Sequence, residues 1–339
     1  DGDCDIIMYK GEEMSKLDKL KELLKSHQKV AIAYSGGCDS NFLYQVALQT
    51  LSKENVLAVL CVGKMMSKED IDSARMMAGK GQFIEVPLDV FTIEQFTNNR
   101  KDRCYHCKKQ VMAKVIEAAQ SHDFKITLDG KNADDEKVYR PGMKACEELG
   151  IVSPLALVGL TKAEIRQYSK ELQIETYDKP ANACLASRFP YDTHLTKEKL
   201  EVVDQAEALL HQKGIYYARV RVHDKLARIE VERNNFNLVN DEELILAIKE
   251  LGFDYVTLDL EGMIGSEMEV VVIDGQGGGI GRSVIEALKK EVSGTFIIAV
   301  GTNSTATNNM KKGGADAVAT GENAIIYNAK NAQIIIGPI

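Results

Sequence analysis

Between residues 30 and 51 an apolar run, Val30-Ala31-Ile32-Ala33-Tyr34, leads into Ser35-Gly36-Gly37-Cys38-Asp39-Ser40 and then into a helical pattern from Ser40 to Leu51. A short apolar run bounded by a turn of this kind reads as a buried strand. The small side chains after it let the backbone close around an anion. The helix N-terminus adds free N–H groups and the positive end of its dipole. The Walker pattern, GxxxxGK followed by Ser or Thr, is absent from the chain. A phosphate loop of another kind is therefore expected, the alternative being a tight turn that only caps a helix.

The surrounding pattern alternates helix and strand. Leu17, Leu20 and Leu24 mark one face of a first helix, and Val56 to Cys61 and Phe83 to Leu88 read as strands on either side of a helix from Ile71 to Ala78. Lys108 to Ala119 reads as helical and Phe124 to Leu128 as a fourth strand. This order predicts an α/β fold, a doubly wound parallel sheet with ligands at the carboxyl ends of its strands. Thr161-Lys162-Ala163-Glu164 is a capping box that starts another helix. Tyr177 to Tyr191 reads as an ordered loop, closing a first domain over 1–187. A small α+β domain is expected over 188–266: a helix from Thr196 to Lys213, strands over Tyr216 to His223 and Ala227 to Arg233, a helix capped at Asn240 to Glu243, and a strand from Tyr255 to Leu260. Over 267–339 the composition changes to a glycine-rich, partial Rossmann-like unit, expected to be cut short or to rely on a partner for a missing layer.

Composition bounds the function class. The formal net charge of -8 argues against broad binding to nucleic acid, where a basic footprint supplies most of the affinity. No apolar run reaches the ~20 residues of a membrane span, and Asp1-Gly2-Asp3-Cys4 is no secretory signal. The seven cysteines are odd in number and spread over a long chain, which fits a reducing, cytoplasmic compartment better than a disulfide framework. Two of them form Cys104-Tyr105-His106-Cys107, and Cys184 follows 77 residues later. By spacing alone, this set suits a 4Fe-4S cluster with one open iron, a zinc site using His106 as well, or buried thiols.

Ser35 to Ser40 carries the SGGxDS signature and resembles the PP-loop of the ATP pyrophosphatases, the adenine nucleotide alpha hydrolase-like enzymes. The resemblance implies cleavage of ATP between the α and β phosphates. It also implies that Ser35, Gly36, Gly37 and Ser40 cradle pyrophosphate while Asp39 helps hold Mg²⁺. Four further stretches follow in order: Arg103 to Lys108, Asp129-Gly130-Lys131-Asn132-Ala133-Asp134-Asp135, Tyr139-Arg140-Pro141-Gly142, and Lys179 to Tyr191. With the loop they closely resemble the LarE family of ATP-dependent sulfur transferases, over about Lys10 to Leu260. Cys38 departs from the Val more usual at that position of the loop.

This resemblance implies a substrate, pyridinium-3,5-biscarboxylic acid mononucleotide, and a role in assembling the nickel-pincer nucleotide cofactor of lactate racemase. Each carboxylate would be adenylated by ATP, and sulfur would then displace AMP. Members with one cysteine at the Cys184 position sacrifice its sulfur, whereas members with three carry a 4Fe-4S cluster. Cys104, Cys107 and Cys184 place the chain in the second kind. Ser187 and Arg188 would lie at the reacting end, with Cys184, Asp39, Ser187 and Arg188 carrying catalysis. Expected partners are the nucleotide substrate, sulfide or a sulfur-delivery protein, other cofactor-maturation proteins and further copies of the chain.

Arg219-Val220-Arg221 places two guanidinium groups on one face of a strand, about 6.5 Å apart by backbone rise. Paired planar donors suit phosphate. Cross-strand pairing with Glu230 and Glu232 is the alternative, and the family resemblance implies the phosphate role. Glu207 and Glu230 are weaker candidates for a metal or substrate contact, against the plainer reading of solvated carboxylates. In Asp274-Gly275-Gln276-Gly277-Gly278-Gly279-Ile280-Gly281, Gly275, Gly279 and Gly281 resemble the GxxxGxG turn of short-chain dehydrogenases, and 268–339 resembles an uncharacterised Rossmann-like domain family. Such a turn serves a dinucleotide or packing alone. Two rival functions remain: a tRNA-thiolating PP-loop enzyme, which the acidic charge opposes, and a non-catalytic nucleotide-binding regulator, which the intact loop and cysteines oppose.

Overall fold

The computed structural model of the chain describes residues 14–79, 81–135, 141–179, 183–263, 268–292, 295–332 and 334–337. Tyr139, Arg140, Pro180, Ala181 and Asn182 of the quoted motifs lie outside the described residues. The chain forms two compact units, Asp1–Ile229 with Leu238–Thr257, and Glu230–Asn237 with Leu258–Ile339.

The first unit holds the parallel sheet that the alternation predicts. Its strands β1 (Val30–Tyr34), β2 (Val56–Val62), β3 (Gln82–Pro87) and β4 (Thr127–Leu128) lie in the order β3-β2-β1-β4, all parallel. Strand periodicity divides the core between the two faces. Val30, Ile32, Val56, Ala58 and Leu60 pack with Leu20, Leu24, Phe42 and Leu43 of two helices on one face. Ala31, Leu57 and Val59 pack with Val115 and Ala119 of a third helix on the other. Burial on both faces explains why β1 and β2 read as continuous apolar runs. Because β2 and β4 flank β1 on opposite sides, the chain reverses between β1 and β4. The loops after their carboxyl ends, from Ser35 and from Asp129, border the crevice where such sheets bind ligands.

Two helices begin earlier than the apolar pattern suggests. The helix expected from Ile71 is Lys68–Ala78, with Ser67 accepting from the Asp70 N–H as its cap. The helix expected from Lys108 is Arg103–Ser121. Cys104 and Cys107, which precede the expected start, therefore lie within the first turns of that helix, three residues apart. The polar Arg103-Cys104-Tyr105-His106 stretch hid that start from a reading based on apolar spacing.

A smaller sheet, order β5-β6-β7, comprises β5 (Ala218–His223), β6 (Leu226–Val231) and β7 (Tyr255–Leu258). The helix Lys197–Gln212 buries Leu200, Val203, Ala206 and Leu210, and Thr196 caps it.

The second unit contains another four-stranded parallel sheet: β8 (Met268–Asp274), β9 (Thr295–Gly301), β10 (Ala317–Thr320) and β11 (Ile334–Ile336), in the order β10-β9-β8-β11. Ile285 and Met310, from the helices Gly279–Glu291 and Ser304–Lys312, pack with Val270, Val272, Ile297 and Ala299 on one face. Ala324 and Ile325 of the helix Glu322–Asn331 pack against Val271, Ile298 and Val300 on the other. Among the described residues, no helix is long and apolar enough to cross a membrane.

Candidate functional site

The loop after β1 is shaped by its smallest residues. Gly36 has φ +69°, and a Cβ added there would lie 2.5 Å from the Ala74 Cβ, so only glycine permits the turn to press against the helix Lys68–Ala78. Gly37 is the N-cap of the helix Cys38–Thr50 and offers no side-chain acceptor to its first N–H groups. Ser35 and Ser40 join their hydroxyls across the loop at 3.0 Å, and the Ser35 N–H donates to Ser40 Oγ. Behind the loop, a buried chain runs from the Tyr34 hydroxyl to Asn41 Oδ1 at 2.9 Å and from Asn41 Nδ2 to Thr176 Oγ1 at 3.0 Å. This chain fixes the helix that carries Asp39 and Ser40.

Asp39 is the carboxylate in the first turn of that helix. Both its oxygens accept from Lys162 Nζ, at 2.7 and 2.8 Å, and Oδ2 also accepts from Asn132 Nδ2 at 3.4 Å. The Asp129–Asp135 loop after β4 comes in closely because Gly130 lies beside Ser40, where a Cβ would sit 2.9 Å from the Ser40 nitrogen. A second lysine, Lys179, donates to the Gly36 carbonyl at 3.1 Å and to Ser73 Oγ at 3.0 Å, with Asp70 at 3.7 Å. Two cations thus converge on the loop, complementing a polyphosphate. Residue-by-residue reading assigned a role to neither. The capping box around Lys162 and the motif beginning at Lys179 were the available signals. A hard carboxylate oxygen at Asp39 fits Mg²⁺ in donor type.

The cysteines lie on a different set of elements. Cys107 and Cys184 both pack against a cluster containing Met65, Leu185 and Leu195. Burial pushes the Cys107 thiol up to about 12, and the nearby Cys184 and Cys104 sulfurs add to the rise. Burial also raises Cys184, opposed by the Ala186 N–H and by the charge of Arg103. The Cys107 and Cys184 sulfurs therefore lie where negative charge is penalised, with the exposed Cys104 beside them. A bound cationic centre would relieve that penalty, so the donor set suits a soft metal or cluster. All three are free thiols. Among the described residues, no three His, Cys, Asp or Glu side chains are gathered closely enough to ligate one metal ion. His106 Nε2 lies 3.4 Å from Asp102.

Arg188 is one of the most enclosed charges in the first unit, with its side chain 5% exposed. Its guanidinium makes a two-pronged pair with Glu207 at 2.8 and 3.0 Å and donates to the Ala183 carbonyl and Ser187 Oγ, each at 3.0 Å. Glu207 also accepts the Val220 N–H at 2.9 Å. The pair thereby ties the Cys184 turn to the helix Lys197–Gln212 and to β5. Glu207 is thus a buried, fully engaged carboxylate. Arg221 Nη1 donates to the Ser187 carbonyl at 2.7 Å, which holds Ser187 between two arginines. Arg219 and Arg221 share the partly exposed face of β5, while Ala218 and Val220 are buried on the other, as period two requires. Glu230 is buried in β6.

In the second unit the turn after β8 is organised differently. Asp274 Oδ1 accepts from the Gly275 N–H at 2.7 Å, and Oδ2 accepts from the Gly281 N–H at 2.6 Å. Gly278 has φ +68°, and a Cβ there would lie 2.5 Å from the Ala306 carbonyl oxygen. Gly281 abuts Met310 in the same way, whereas Gly279 faces open space.

Comparisons with known proteins match separate parts of the chain. The NAD synthase family pattern matches residues 15–126, and a domain of unknown function, DUF3842, matches 269–339. An uncharacterized protein of Synechocystis is 36% identical over 267 residues, covering 76% of this chain and 98% of that protein. The pyridinium-3,5-bisthiocarboxylic acid mononucleotide synthase of Lactiplantibacillus plantarum is 34% identical over 258 residues, covering 75% and 94%. An uncharacterized protein of Methanocaldococcus jannaschii is 32% identical over 252 residues, covering 73% and 97%.

Proposed function

The chain belongs to the LarE family, that of the pyridinium-3,5-bisthiocarboxylic acid mononucleotide synthase, and from that membership we propose that it is an ATP-dependent sulfur transferase acting on pyridinium-3,5-biscarboxylic acid mononucleotide. The observation that carries the reading is the pair of lysines, Lys162 and Lys179, at the glycine-built loop after β1. ATP chemistry falls to 1–187, the substrate to 188–266, and 267–339 forms a separate glycine-rich unit.

In this reading the loop amides, Ser35, Ser40, Lys162 and Lys179 hold the polyphosphate, and Asp39 would hold Mg²⁺, which when bound would supply positive charge to the phosphates. A carboxylate is a poor electrophile, and adenylation gives it AMP as a leaving group. Arg219 and Arg221 hold the substrate phosphate and so orient the carboxylate. Arg188 is a positioning residue, because Glu207, Ala183 and Ser187 occupy its donors. Cys104, Cys107 and Cys184 would hold a 4Fe-4S cluster, which supplies a bound sulfide as nucleophile. For Gly275 and Gly281, which lie against Thr302 and Met310, we propose packing, and for the buried Glu230 no ligand.

Anaerobic incubation with ATP, Mg²⁺, sulfide and the dicarboxylate substrate should yield AMP, pyrophosphate and thiocarboxylate. ADP and orthophosphate as products would refute the loop assignment. Mass spectrometry of the chain after several turnovers should show Cys184 intact. A loss of about 34 Da there, one H₂S, would make the cysteine itself the donor.

A further inference from the structure

We propose that Lys162 occupies the metal-binding carboxylate of the phosphate loop until a nucleotide arrives, so that the divalent cation enters with the nucleotide and not before it. The inference rests on the reading of Asp39 as the metal-holding group.

Lys162 Nζ meets both Asp39 oxygens, at 2.7 and 2.8 Å, and so uses lone pairs that a cation would need. The contact is not an incidental surface pair, since the two side chains are only 31% and 23% exposed. Its geometry is set by backbone. Lys162 opens the helix Lys162–Glu171, and the Thr161–Glu164 capping box fixes where that helix starts. The Lys162 N–H donates to Asp134 Oδ2 at 2.9 Å, and Ile165, one turn on, is fully buried. The lysine stem is therefore aimed at the loop by its own helix.

A bare divalent ion must displace this ammonium, and the displaced charge remains anchored beside the ion it yields to. A polyphosphate changes the balance because its oxygens give the ammonium other acceptors. With Lys162 drawn to phosphate, Asp39 is left to the metal that the same phosphates carry. Lys179, held at the Gly36 carbonyl on the loop itself, favours the same polyanion and disfavours the bare cation.

The test uses the full chain without nucleotide and Mn²⁺ as the probe, with free Mn²⁺ counted by electron paramagnetic resonance. Lys162→Gln should tighten Mn²⁺ binding by about tenfold, the scale expected for removing one adjacent unit charge at a partly exposed site. Lys162→Arg, which keeps the charge, should bind as weakly as the parent. Unchanged affinity in Lys162→Gln, or an equal gain in Lys162→Arg, would overturn the inference. The gain should vanish in Asp39→Asn/Lys162→Gln. Its persistence there would place the ion elsewhere and overturn the Asp39 reading itself.

Discussion

The two units carry the same device in two forms. Each has a parallel sheet whose first strand lies between its second and fourth strands in chain order, and each follows that first strand with a glycine-rich turn into a helix. In the first unit the acidic residue, Asp39, sits inside the helix and is met by Lys162, while Lys179 reaches the turn as well. In the second, Asp274 ends the strand and turns its carboxylate onto the N–H groups of Gly275 and Gly281. A carboxylate there occupies donors that would otherwise greet an anion and adds a negative charge that repels one. Glycine content is common to both turns, and the direction of one carboxylate separates them.

The largest expected effect lies in the first turn. Asp39→Asn should keep the fold and lower pyrophosphate release by about 10³-fold, since the developing charge loses its metal bridge. A steady-state assay with a thermal melt on the same sample checks both halves. Gly278→Ala should destabilise the second unit by about 3 kcal/mol, through a left-handed backbone and the clash with Ala306. Pyrophosphate release should be unaffected, and denaturant unfolding of the full chain followed by hydrogen exchange reads the local loss.

Arg219→Ala with Arg221→Ala should raise the KM for the dicarboxylate nucleotide by roughly 10²-fold, as two charge-assisted phosphate contacts are lost, with little change for ATP. An equal loss toward both ligands would make the pair structural. The smallest effect is expected from Asp274→Asn. One N–H acceptor is lost there, which costs about 1 kcal/mol of stability. Gain of dinucleotide binding by this variant would sharpen the contrast, because it would show that the carboxylate alone closes the second turn.

How much of this was legible depends on the length scale of each signal. β1, β2 and the loop between β1 and its helix could be read because a buried strand needs an unbroken apolar run and a phosphate loop needs small residues in sequence. The capping box at Thr161 was equally local, and it is present in the structure. β4 is a two-residue strand, shorter than the expected Phe124–Leu128, because only Thr127 and Leu128 pair with β1. The start of Arg103–Ser121 was missed because its first turn is polar and its apolar face begins later.

The sequence by itself determined the residue types of the candidate positions: in the first unit the Ser35–Ser40 loop, the three cysteines and the arginine pair on one strand face, and in the second the glycine-rich turn at Asp274. Each is a contiguous stretch, or a set recognisable by spacing, whose chemistry depends on nearest neighbours along the chain. Only the tertiary structure decided which charges meet. Lys162 and Asp39 are 123 positions apart, Lys179 and Gly36 are 143, and Arg188 finds Glu207 across a helix that the sequence showed only as amphipathic. Such pairings follow from strand order and from where helices start. A one-residue shift in a helix start rotates every side chain by about 100°, so the aim of Lys162 is a property of the folded chain.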